Sequence, residues 1–200
     1  MNKVDKIINK YKTVSDEIIN VVKADFLKIE THHFTLANGS FLNRDVLIKK
    51  NINAAMIIPQ LKDGNFIMVI QPRPCTERGV CIEFPAGYVE DGETIEKGAI
   101  RELEEETGAI ANKVEKICTF YQDQACSKCL ISILMAYNCD VNSKQKLDND
   151  EFVDTVVLSY DEIIELQKQG YIVDANTTMC LCILKEKKLR GELWKKLLTD

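Results

Sequence analysis

The segment from Gly87 to Gly108 constrains this chain more than any other. It holds eight acidic residues (Glu90, Asp91, Glu93, Glu96, Glu102, Glu104, Glu105 and Glu106) against only Lys97 and Arg101. The local charge is therefore −6 within a total of −5, and the rest of the chain carries +1. A nearly neutral protein with one intensely acidic segment has what a multivalent cation site requires, because hard cations prefer carboxylate oxygens. No basic stripe balances the acids, which argues against nucleic acid as the main partner. The segment is expected to be helical from about Ile95 to Thr107, with Gly108 as its C-cap. Residues three and four apart share a helix face, so Glu102, Glu105 and Glu106 should converge while Leu103 points into the core. Such crowding is repulsive by a few tenths of a kcal/mol per pair, and a bound cation reverses the sign. A merely solvated acidic face is the alternative reading of the helix alone.

Outside that segment the residues organise into alternating elements. Apolar residues at 4, 7, 8, 11, 14, 18 and 22 follow near-helical spacing and predict one or two amphipathic helical segments over Val4 to Val22. Strands are expected at Phe26 to Leu36 and Phe41 to Ile48, turning at Asn38-Gly39, and at Ala54 to Leu61 and Phe66 to Gln71, turning at Asp63-Gly64. Pro59 hints at an edge or a bulge in its strand. A short strand at Cys81 to Phe84 should enter a loop at Pro85-Ala86-Gly87. Later strands are expected at Val114 to Tyr121, Leu130 to Tyr137 and Phe152 to Leu158. A helix at Asp161 to Gln169 should stop at Gly170, and a last one from about Thr177 carries a basic end of Lys185, Lys187, Lys188 and Arg190. Mixed strands with interspersed helices give an α+β chain, an α/β/α sandwich.

The N-terminus has no hydrophobic signal region and no apolar run long enough to span a membrane, so a soluble, cytoplasmic protein is expected. The eight cysteines are expected to be free thiols. Cys126-x-x-Cys129 and Cys180-x-Cys182 have zinc-like spacing, but each sits in an apolar run with no second pair or histidine to complete four ligands, so small buried hydrophobes are the simpler reading. His32 and His33, adjacent on a strand, should face opposite sides and serve structure.

Read from Gly87, the chain gives Gly87-x5-Glu93-x7-Arg101-Glu102-Leu103-x-Glu105-Glu106-x-Gly108-Ala109. This resembles the Nudix box, matching all seven fixed identities, with Ala109 smaller than the usual final aliphatic. The resemblance implies a Nudix-type sandwich with a mixed sheet, here preceded by an N-terminal helix and β-hairpin. It implies Mg²⁺ as cofactor, with Mn²⁺ possible, bound by Glu102, Glu105 and Glu106. Glu93 and Arg101 are implied to support catalysis by orienting those carboxylates through charge-assisted hydrogen bonds.

Outside the box, Gln71-Pro72-Arg73-Pro74 and Cys81-Ile82-Glu83-Phe84-Pro85-Ala86-Gly87 are similar to the ADP-ribose and ADP-sugar pyrophosphatase branch. In that branch the carbonyl matching Ala86 ligates metal, the arginine matching Arg73 contacts substrate, and Glu83 helps bind metal or substrate. Arg44 is a further substrate-binding candidate. Asp148-Asn149-Asp150-Glu151-Phe152-Val153 is similar to the acidic loop whose glutamate, here Glu151, helps activate water. The resemblance implies a homodimer, formed through residues 1–50, and a Nudix domain over 51–200. Two features depart from the branch. Gln124-Ala125 stands where Pro-Gly is typical, and Trp194, the single tryptophan, lies near the C-terminus, whereas some members clamp adenine between aromatic residues of the two subunits. The implied reaction is cleavage of a nucleoside diphosphate sugar. Other Nudix substrates (NADH, a dinucleoside polyphosphate, an oxidised nucleoside triphosphate) and a non-catalytic ADP-ribose sensor are the alternatives.

Overall fold

The computed structural model describes residues 13–24, 27–49, 51–149 and 151–193. Two compact units divide the chain, one comprising 1–52 with 121–130 and the other 53–120 with 131–200.

The first unit is a three-stranded antiparallel sheet of β1 (Thr13–Lys23), β2 (Lys28–Leu36) and β3 (Phe41–Ile48), with β2 central. The β2–β3 turn closes as Asn38-Gly39 demands: Gly39 adopts φ 83°, its N–H donates to Leu36 O, and the Asn38 side chain accepts from Ser40 N. β1 corrects the expected N-terminal helix over residues 13–23. Thr13, Val14, Ile18, Ile19, Val21 and Val22 are β-branched, a poor composition for a helix and a good one for a strand beside β2. The helical spacing at 14, 18 and 22 was shared with a strand that has a bulge between Ile18 and Asn20. Residues Val4 to Lys12, in the rest of that expected helix, lie outside the described residues, as does Phe26. His32 and His33 do take opposite sides. His32 is buried between Asp16 and Glu30, whereas His33 meets Asn43 and the Phe41 ring.

The second unit is built on an eight-stranded sheet with the path β11-β5-β4-β10-β8, using β4 (Asn53–Leu61), β5 (Phe66–Pro72), β8 (Ala109–Ile110), β10 (Leu130–Val141) and β11 (Asp154–Leu158). Off this path β6 (Val80–Glu83) pairs β5, β7 (Ala86–Tyr88) pairs β4, and β9 (Lys113–Tyr121) pairs β10. β5 is antiparallel to β4, β6 and β11. β4 and β10 run the same way, since Leu130 N donates to Ile52 O at their starts and Lys62, just past β4, pairs with Asp140 near the end of β10. The sheet is therefore mixed.

β4 is buried on both faces: Ala55 and Ile57 face one side, Met56 and Ile58 the other, all essentially inaccessible. The helix α1 (Ile95–Thr107) covers the first face, where Ala99 and Leu103 join Ala55, Ile57, Ile67, Val89 and Leu134 in one core. On the opposite face Cys180, from α3 (Ala175–Leu189), packs its sulfur against that of Met56 at 3.4 Å. Helices on both faces of a mixed sheet make the α/β/α sandwich. Between them in sequence, α2 (Tyr160–Lys168) begins with a Ser159–Glu162 capping box and is followed by Gly170 at φ 78°.

Two local expectations change. Residues 86–88 form strand β7 rather than loop, because Ala86, Gly87 and Tyr88 find partners in Met56, Ala55 and Ala54. Pro59 lies in an interior strand rather than at an edge. Ile57 N donates to Pro85 O, so the N–H that proline lacks would point to this same side, where β4 changes partner from β7 to β5.

Candidate active site

The acidic segment folds as a helix because both ends are supplied with caps. Thr94 accepts from Lys97 N, and Gly108, at φ 68°, donates its N–H to Glu104 O. Gly98 lets the helix sit close to the strand exit, since a Cβ there would stand 3.2 Å from Val89 Cγ2 and 3.1 Å from Glu93 Oε2. Gly87 does the same at the acids themselves: a Cβ would fall 2.0 Å from the Glu102 carboxylate.

Arg101 organises one side of the cluster. Its Nη1 donates to Glu102 Oε1 and to Glu105 Oε2, both at 2.8 Å, its Nε and Nη2 reach Glu93 at 3.2 and 3.3 Å, and Nη2 also donates to Tyr88 O. Burial works against the guanidinium charge, but the three glutamates outweigh it and hold the proton more firmly than usual. Burial would likewise raise the Glu93 carboxyl, yet Arg101 and the Glu90 N–H bring it below the ordinary range. Glu93 thus ties the loop to the helix while Arg101 gathers two of the box glutamates.

On the other side of the cluster Arg73 is committed to Glu83. Burial raises Glu102 despite Arg101. Glu106, 5% exposed, accepts only from Ala86 N at 3.0 Å, and burial pushes it up to about 8, with Glu102, Glu151 and Glu83 adding repulsion. Glu83 is itself buried and forms a fork with Arg73, whose Nε and Nη2 donate at 2.7 and 2.9 Å, while Gln71 adds a third bond. This pair raises Arg73 above its ordinary value. Arg73 starts the turn from β5 to β6, with its N–H donating to Gly79 O, and that turn brings it back to Glu83.

The segment after β10 returns to the C-terminal end of α1. Asn142 N, Ser143 N and the Ser143 hydroxyl donate to Gly108 O, and Lys146 N donates to Glu105 O. A Cβ at Gly108 would lie 2.1 Å from Ser143 O, so this contact depends on glycine twice over. Beyond it, Glu151 closes a small turn by accepting from Asp148 N and donating its own N–H to Asp148 O. Its charge acts on both Glu102 and Glu106. A cavity of about 500 Å³ opens beside Glu151, walled by Ile70, Val80, Leu147, Phe152 and Val153.

The structure therefore brings Glu83, Ala86, Glu93, Arg101, Glu102, Glu105, Glu106 and Glu151 into one neighbourhood within the second unit, with Arg73 joined through Glu83. The expected convergence of Glu102, Glu105 and Glu106 takes a different form: Glu102 and Glu105 turn to Arg101 while Glu106 turns to Ala86 N. Among the described residues no three carboxylates close on a single point. The donor set nonetheless fits a hard divalent cation, because a buried carboxylate with a backbone N–H partner stands among three further carboxylates, and the nearby Arg73 is committed to Glu83. Arg44 lies in the first unit, where its side chain donates to Asn43 O. Trp194 lies outside the described residues. All eight cysteines are free, with Cys129 and Cys180 buried and Cys126 and Cys182 exposed. Among the described residues no helix is long and apolar enough to cross a membrane. Sequence reasoning missed Gln145, whose amide reaches both Glu106 O and Val153 O, and the Tyr88 carbonyl that anchors Arg101. No local signal marks Gln145, because its partners lie far along the chain.

Residues 50–179 match the NUDIX domain family. The chain belongs to the Nudix family and is a Nudix hydrolase. It is similar to the ADP-ribose pyrophosphatase of Bacillus subtilis (strain 168), at 31% identity over 92% of this chain and 94% of that protein. It is also similar to the methanol dehydrogenase activator of Bacillus methanolicus, at 29% identity over 87% of this chain and 92% of that one. Among solved structures, an ADP compounds hydrolase shares the fold with a TM-score of 0.75 and 21% identity, covering 92% of this chain and 97% of that chain.

Proposed function

We propose that this Nudix hydrolase cleaves the diphosphate bond of ADP-ribose or a related nucleoside diphosphate sugar, releasing a nucleoside monophosphate and a sugar phosphate. The observation that carries the reading is Glu106, a buried carboxylate set among other carboxylates whose hydrogen bond, among the described residues, comes from Ala86 N and not from a cation. Glu102, Glu105, Glu106 and the Ala86 carbonyl would hold Mg²⁺, or Mn²⁺ in its place. When bound, the metal neutralises diphosphate oxygens and makes water a better nucleophile. Arg101 yields Glu102 and Glu105 to that role while staying anchored to Glu93 and Tyr88 O. Glu151 accepts the proton of the attacking water, and Glu105 stands beside it as the second catalytic carboxylate. Arg73, about half exposed, offers its outward edge to a substrate phosphate while Glu83 fixes its other edge. Arg44 supplies a further cationic contact to substrate.

A homodimer in the cytoplasm completes the reading. Val14, Ile18, Ile19, Val21 and Val22 are exposed along β1, an apolar surface suited to a second copy through residues 1–50. Free cysteines agree with a reducing compartment.

The test is product analysis by chromatography. Incubation with ADP-ribose and Mg²⁺ is expected to yield AMP and ribose 5-phosphate, and Glu105→Gln to abolish it. Turnover of NADH or a dinucleoside polyphosphate in preference would move the substrate within the family. Binding without hydrolysis across a panel of diphosphate compounds would reject the enzymatic reading in favour of a sensor.

A further inference from the structure

We propose that Gln145 is a positioning residue that sets Glu151 against the acidic helix. The proposal rests on Glu151 acting as proposed above. An α-helix leaves its last carbonyls without partners inside the helix. Here Gly108 N takes Glu104 O, Lys146 N takes Glu105 O, and the Gln145 amide takes Glu106 O at 2.6 Å. The peptide carbonyls of two box glutamates are thus held by the segment that leads to Glu151.

Gln145 does more than cap. The same Nε2 donates to Val153 O at 3.0 Å, on the far side of Glu151. Both partners are carbonyls, which only accept, so the NH₂ group must face them and both of its hydrogens are used. One half-buried side chain therefore bridges the last turn of α1 and the residue two positions beyond Glu151. On its near side, the turn is closed by the Asp148–Glu151 hydrogen bonds. Among the described residues, the Lys146 N–H and the Gln145 amide anchor the near end of this loop to α1, and the same amide ties back its far end at Val153. Without the amide, the loop keeps the Lys146 anchor but loses its return, and Glu151 is free to swing away from Glu102 and Glu106.

The experiment compares Gln145→Met, which keeps length without donors, with Gln145→Lys, whose ammonium can donate to both carbonyls. Wild-type turnover of ADP-ribose with Mg²⁺ is measured first, and its absence would remove the reading and the proposal together. Given that turnover, Gln145→Met is expected to lower kcat about 10- to 100-fold, the scale for groups that orient catalytic residues, with KM within about twofold. Gln145→Lys is expected to recover most of the loss. In a Glu151→Gln background, Gln145→Met should cost little more, because the two act through one group. In metal-free protein, amide exchange at Glu151 should speed up in Gln145→Met while exchange at Lys146 and in β4 stays unchanged. Full additivity with Glu151→Gln, a change confined to KM, or unchanged loop exchange would each overturn the proposal, and would do so with the hydrolase reading intact. Should Gln145→Met fail to fold, failure of Gln145→Lys to exceed Glu151→Gln in activity would overturn it equally.

Discussion

Buried carboxylates behave in opposite ways in the two units. In the first, Glu30 and Asp16 flank the buried His32 ring, and Lys28 and Lys128 complete their pairing. Lys28 and His32 hold Glu30 below the ordinary range, and although burial raises Asp16, His32 and Lys128 bring it down. In the second unit Glu106 is also buried, and burial raises it to about 8, with Glu102, Glu151 and Glu83 adding repulsion and, among the described residues, no side-chain cation bonded to it to bring it down. The difference teaches that burial alone does not decide a carboxylate's state. In the first unit each acid has a cation bonded to it, whereas in the second Arg101 and Arg73 engage Glu93, Glu102, Glu105 and Glu83 and, among the described residues, leave Glu106 without a direct ion pair.

Exchanging one carboxylate from each cluster should separate the two roles most sharply. Glu106→Gln is expected to reduce kcat by about a thousandfold, on the scale of losing a principal transition-state contact, while raising the melting temperature of metal-free protein. Glu30→Gln should do the reverse, leaving kcat within about twofold and lowering the melting temperature. Steady-state kinetics and calorimetry on both variants check this, and a stabilised Glu30→Gln would break the comparison.

The next largest effect is on pH dependence. The folded protein holds Glu106 protonated up to about 8, whereas the unfolded chain releases that proton near 4.5. Between these values the native state binds the extra proton, so stability falls as pH rises through the window and levels off above it. The change should be about 2–4 kcal/mol in urea melts with EDTA present, and Glu106→Gln should flatten it. The lowered acids Asp16 and Glu30 act oppositely: their contribution is full above their unfolded values of 3.8 and 4.5 and fades as pH falls below those values. Loss of β1–β2 amide protection only in that acid range checks the second half.

Magnesium should act on one cluster alone. At ten to a hundred times its Kd it is expected to stabilise the protein by about 1.4–2.7 kcal/mol at pH 8, measured by thermal melts, with little gain in Glu106→Gln. Smallest of all, Lys128→Gln should cost about 0.2–1 kcal/mol, since the Lys128–Asp16 pair is well exposed and His32 still holds Asp16.

Much of this arrangement was legible in the sequence where the determining residues are neighbours. The α1 bounds followed from the acidic face and Gly108, and the hairpin turns followed from Asn38-Gly39 and Asp63-Gly64. What escaped depends on residues far apart in the chain. Val14, Ile18 and Val22 fit a helical repeat until β2 offers a ladder. Arg73 and Glu83 are ten positions apart and meet only because β5 and β6 pair. The turning of Glu102 and Glu105 onto Arg101, in place of a simple carboxylate cluster, depends on side-chain geometry that spacing alone does not specify.

β1 is eleven residues long and, among the described residues, forms the outer edge of its three-stranded sheet. An edge of this length with bare backbone amides and apolar side chains is a template for adding foreign strands. The chain would therefore be prone to fibrous clumping on warming. A proline at Ile19, by removing an edge donor, should delay turbidity without altering turnover per folded molecule.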